Sequence, residues 1–127
     1  MRARIAFLLV FLSSCATRVE EPAPAALPPE TSTRQENVAI AGLMESARSD
    51  VAAGRLLQAA ASLERALRIE PRNPRLWHEL AKVRLRQGDA GQAANLAARS
   101  NTFAGSDSAL RGANQSIIEQ ARSQGVR

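Results

Sequence analysis

The chain has 127 residues, room for one small domain, and its first third does not read as part of that domain. Ala, Leu, Arg, Gln and Glu abound, Tyr is absent and no alternating Val, Ile or Thr run suggests a strand, so the composition favours an all-α fold. The formal charge of +5 falls to +3 once Arg2 and Arg4 leave with a leader, too little to imply nucleic acid, and a single Cys excludes an internal disulfide framework.

Residues 1–14 carry Arg2 and Arg4, the apolar run Ile5 to Leu12, and then Ser13 and Ser14 ahead of Cys15. A charged start, an apolar stretch too short to span a bilayer and small residues at the end make an export signal. Leu12-Ser13-Ser14-Cys15 resembles the bacterial lipobox. That resemblance implies cleavage before Cys15, lipidation of its thiol by a chain such as palmitate, and anchorage on a membrane. Buried acyl chains contribute ~0.8 kcal/mol per methylene, so two or three hold a protein almost permanently. The competing reading is an ordinary signal peptide in which Cys15 is incidental. Ala16, rather than Asp, follows the Cys, which resembles the sorting pattern of outer-membrane lipoproteins facing the periplasm.

Residues 15–32 hold Pro22, Pro24, Pro28 and Pro29 with no helical period. Proline at these spacings blocks helix and favours extended backbone, so the stretch reads as a disordered tether. Thr33 followed by Glu36 then gives a capping-box signature, and a helical domain over 33–123 is expected to start there, with 124–127 as a tail.

The first helix of that domain should bury Ile40, Leu43, Met44, Ala47 and Val51, at spacings of three and four, and end at Gly54. A second follows with Leu56, Leu57, Ala60, Leu63, Ala66, Leu67 and Ile69, closed by Pro71. Asn73-Pro74 supplies a cap and a proline in the first turn, opening a third helix with Trp77, Leu80, Ala81, Val83 and Leu85, up to Gly88. Asp89 with Gln92 suggests a second capping box ahead of Ala93, Leu96, Ala97 and Ser100. Thr102 to Asp107 reads as a turn. Beyond it Leu110, Ala113, Ile117 and Ala121 form the apolar stripe of a last helix, while Asn114 and Gln115 read as polar surface.

Shifting the sequence by 34 places lays Leu43 on Trp77, Ala47 on Ala81, Gly54 on Gly88 and Ala59 on Ala93. With Leu80, Leu63, Ala66 and Pro71, these positions resemble the tetratricopeptide repeat, in which small residues let two antiparallel helices approach and bulky ones fill the space beside them. Ser46, Asp50, Arg84, Ala97 and Gly105 depart from the pattern. The resemblance implies two helical hairpins and a C-terminal capping helix, a stack below the ~3 repeats such arrays need. Trp77 then reads as core, with an exposed hot spot as the alternative.

No catalytic arrangement emerges, so no enzyme activity is expected. The acid next to His78 is Glu79, which projects about 100° away around a helix. No Cys or His pair has metal-ligand spacing, and the glycines fall singly, never as a phosphate loop. Neither metal nor cofactor is expected. In the resembled family the first helix of each repeat lines a concave face. That register places Met44, Arg48, Val51, Arg75, His78, Lys82, Leu85 and Arg86 there, a basic groove suited to an acidic or carboxylate-ended peptide. The alternative is a solvated charged face.

Leader, tether and repeats together resemble small repeat lipoproteins of the Gram-negative envelope, among them activators of bifunctional penicillin-binding proteins. The resemblance implies an outer-membrane, lipid-anchored adaptor that binds a protein partner and regulates peptidoglycan synthesis. Assembly lipoproteins of pili or secretins, and binders of anionic envelope polymer or lipid, are the other readings.

Overall fold

The computed structural model describes residues 29–125, with side chains from residue 33 onward, and the expected leader, Cys15 and most of the tether lie outside them. Five helices follow in order: α1 (Pro29–Ala52), α2 (Leu56–Ile69), α3 (Pro74–Arg86), α4 (Ala90–Phe103) and α5 (Ser108–Gly125). α1 pairs with α2 and α3 with α4, α2 joins the two hairpins by packing on α3, and α5 closes the far side against α4 and α3. This is the expected pair of hairpins with a capping helix.

The 34-residue repeat is written into the backbone of the turns. Gly54 and Gly88 take φ of 74° and 82°, the left-handed region where a side chain is strained. In the first turn Arg55 N–H reaches Asp50 C=O at 2.8 Å, and in the second Asp89 N–H reaches Arg84 C=O at 3.0 Å. Those donors and acceptors stand one repeat apart, so both first helices end in the same way.

Burial follows the same register. Ala47 and Ala81, Ala59 and Ala93, Leu63 and Ala97, and Ala66 and Ser100 are all buried. Leu43, Met44, Val51, Leu56 and Trp77 pack from the side against the larger cluster, which Ile40, Leu63, Leu67, Leu76 and Leu80 dominate. Leu57 is 73% exposed and Ile69 sits at the rim, because the helical stripe of α2 runs through Ala59, Ala60, Leu63, Ala66 and Leu67 instead.

The helix starts are read with mixed success. Asn73 caps α3, its side chain accepting from Arg75 N–H at 3.0 Å, with Pro74 in the first turn. Asp89 caps α4 by accepting from Gln92 N–H at 3.1 Å, but its own N–H is already bonded to Arg84, so the box is half formed. α1 begins at Pro29 rather than Thr33, which places Thr33 and Glu36 inside the helix. Proline is accepted in a first turn because its missing N–H has no intrahelical partner there. α4 continues to Phe103 and the turn narrows to 104–107, with Gly105 at φ 54° and Asp107 accepting from Leu110 N–H.

The last helix buries Ile117 and Ala121 of the expected stripe but replaces Ala113 by its neighbour Asn114. Ala113 is exposed and Asn114 is fully buried, so the inner face runs through Asn114, Ile117 and Ala121. Asn114 Nδ2 donates to Ser100 Oγ and to Asn101 Oδ1, each at 2.8 Å, while Ser100 Oγ donates to Pro74 C=O. With both N–H groups of Asn114 used, its Oδ1 accepts from His78 Nδ1 at 2.8 Å, which places a proton on that ring nitrogen. A buried amide is stable only when paired in this way, and the pairing ties α3, α4 and α5 into one unit.

Candidate partner-binding groove

α1 and α3 diverge over α2 and leave a groove of about 610 Å³. Its floor is apolar: Ala47 and Val51 from α1, Leu63 from α2 and Val83 from α3, with Met44 along one wall. Arg48, Lys82 and Arg86 stand on the rim with Glu79, so three cations face one acid.

Each charge is positioned by its helix. Glu79 and Lys82, one turn apart on α3, pair at 2.9 Å, and Arg48 meets Glu45 on α1 at 3.5 Å. Both pairs are exposed, and such pairs contribute only ~0–1 kcal/mol, so Lys82 and Arg48 are readily drawn to another anion. Arg86 is exposed and makes no ion pair among the described residues. An apolar floor under weakly paired cations suits a peptide that brings apolar side chains and carboxylates together.

The structure gathers Met44, Arg48, Val51, Lys82 and Arg86 and sends the other three expected residues elsewhere. His78 turns away to Asn114 of α5. Leu85 packs beside Ala81, Ala93, Ala97 and Ile117. Arg75 lies in the first turn of α3, at the opposite end of that helix from Arg86. The groove face of α3 is Glu79, Lys82, Val83 and Arg86, one stripe round from the face taken from the repeat register. The spacing of Glu79, Lys82, Val83 and Arg86, three, four and seven apart, is a signal the sequence carried.

The two positions that depart from the repeat by carrying charge have acquired ion pairs. Asp50 and Arg84 occupy the same place in successive repeats, where an aromatic is usual. Asp50 accepts from Arg55 at 2.8 Å across the first turn. Arg84 reaches Glu64 of α2 at 2.6 Å and also donates to Gln87, whose own amide donates to Leu56 C=O at 3.0 Å. These contacts cross-link the two hairpins behind the groove, although Arg84 Nε is buried without a partner.

Trp77 is half-buried, intermediate between the core and hot-spot readings. Its Nε1–H donates to Pro71 C=O at 2.8 Å and Arg99 stacks 4.6 Å from the ring centroid. Among the described residues there is no group of three or more acids, His or Cys able to hold a metal, and no helix long and apolar enough to cross a membrane.

Comparison with known proteins bears on this geometry. The tetratricopeptide repeat family matches residues 50–114. Among solved structures, the globular C-terminal domain of P. aeruginosa LpoP is similar, with a TM-score of 0.67 and 41% identity over 68% of this chain and 82% of that one. A comparison with curated proteins returns no match.

Proposed function

Because the chain belongs to the tetratricopeptide-repeat family, we propose that it is a protein-binding adaptor whose α1/α3 groove docks a partner in the bacterial envelope. The partner is a class A penicillin-binding protein, and docking regulates its peptidoglycan synthesis. Acylated Cys15 holds the chain on the outer membrane, and residues 16–28 carry the helical domain into the periplasm toward the synthase. The observation that carries this reading is the cation-rimmed, apolar-floored groove on a fold shared at 41% identity with LpoP.

The test pairs the purified full-length protein with a class A penicillin-binding protein and follows binding together with the rate of glycan polymerisation. The unaltered chain should bind and raise the rate, and binding should persist in high salt because the floor is apolar. Charge reversal in Lys82→Glu with Arg86→Glu should weaken binding about tenfold while helical content is kept. Capture of a secretin instead, or attachment to anionic polymer that vanishes steeply with salt, would replace this reading with one of its rivals.

A further inference from the structure

Of the four ion pairs among the described residues, only Glu64–Arg84 reaches a hollow at one end of the helix stack, and it leaves the arginines there unpaired. That end, where α2 closes, α3 opens and α4 closes, carries five exposed arginines: Arg65, Arg68, Arg72, Arg75 and Arg99. The acids near them are engaged, Glu64 by Arg84 at 2.6 Å, Glu70 by the Asn73 amide at 2.7 Å and Asp107 by Leu110 N–H. The arginines are contiguous, since each pair of three adjoining hollows shares one residue, Arg68, Ile69 or Pro71.

Two of the guanidinium groups are held ready. Arg99 lies 4.6 Å from the centroid of the Trp77 ring and Arg72 lies 5.8 Å from that of Phe103. Stacking on a ring fixes the plane of the fork and leaves its N–H edge open to a carboxylate or phosphate. Exposed Ile69 adds an apolar contact at the same place.

The shape of this end discriminates between anions. Ala39 of α1 lies level with Ile69, the last residue of α2, so the ten residues from Pro29 to Val38 extend α1 past the arginines. At 1.5 Å per residue that overhang is about 15 Å long. A flat bilayer approaching the end meets the overhang first, whereas a narrow chain can lie beside it.

We propose that this arginine end is a second docking surface, separate from the groove, for an acidic polypeptide segment of the protein partner. The probe is a fluorescent peptide with Glu at alternate positions, titrated by anisotropy onto the full-length chain held in phosphatidylcholine nanodiscs. The same peptide with Gln in place of Glu is the control. Arg68→Gln with Arg99→Gln should weaken the Glu peptide roughly tenfold, the loss of two exposed carboxylate pairs with good geometry. Arg65→Gln with Arg75→Gln, neither of which stacks on a ring, should weaken it as well, which separates lost charge from lost packing. Lys82→Glu with Arg86→Glu in the groove should leave it unchanged. Binding that is lost in the groove variant and kept in both arginine variants would overturn the proposal and leave the groove reading intact. Displacement of the peptide by phosphatidylglycerol vesicles as readily as by unlabelled peptide would overturn it in favour of a lipid surface.

Discussion

The two repeats solve one packing problem with side chains that differ in size at one position and in polarity at the next. At one position repeat one has Leu63, 2% exposed, and repeat two has Ala97, with no exposure at all. A turn further on, repeat one has Ala66 and repeat two has Ser100, both fully buried. The neighbours explain the difference. Leu63 fills the space under the groove between α1 and α3, where no further helix arrives. Ala97 leaves room for Ile117 of α5, and the Ser100 hydroxyl joins the amide of Asn114 from the same helix. A repeat that faces a groove builds its own floor, while a repeat that accepts a cap is hollowed out to receive it.

The largest way to break that contrast is to empty the first repeat. Leu63→Ala removes a fully buried side chain from the main cluster and should cost ~3–4 kcal/mol, the usual range for a cavity that cannot collapse. Chemical denaturation should show the loss as a lower midpoint. Because the same leucine floors the groove, partner affinity should fall in step even below the denaturation range.

The converse substitution fills the second repeat. Ala97→Leu drives a large side chain into the place of Ile117 and should cost ~2–3 kcal/mol through overpacking. The contrast is sharpened by compensation: Ile117→Ala in the same chain returns the volume, so the double variant should recover about 1 kcal/mol relative to the sum of the single losses. Strict additivity would mean that Ala97 is small for some reason other than α5.

Much of this was legible in the sequence. The period of 34, the turn glycines and the caps at Asn73 and Asp89 are local devices, read from residue types without knowledge of the partner helix. The groove was half legible. Met44, Arg48, Val51, Lys82 and Arg86 meet there, but His78 and Leu85 are taken by α5, and a repeat pattern carries no information about what caps it. The buried amide was the plainest miss. Asn114 is polar and follows an Ala at helical spacing, so composition assigns it to the surface. Its burial is decided by three groups distant in sequence, Ser100, Asn101 and His78, that together satisfy it. The start of α1 was misplaced because proline is a helix breaker except in the first turn, where Pro29 stands.

The smallest effect tests whether the polar contacts or the shape of Ile117 hold the cap. Asn114→Ala removes the acceptor of His78 Nδ1–H and both donors to α4, leaving groups on α3 and α4 to find water. The net cost should be ~1–2 kcal/mol, because Ser100 retains its bond to Pro74 and His78 is only half-buried and can be solvated. The loss should be local. Hydrogen exchange in residues 108–125 should accelerate while the amides of α1 and α2 keep their protection, since α5 is a terminal unit that can open alone. Equal acceleration in all five helices would show instead that the cap and the hairpins unfold as one body, and that α5 is the third layer this two-repeat stack requires.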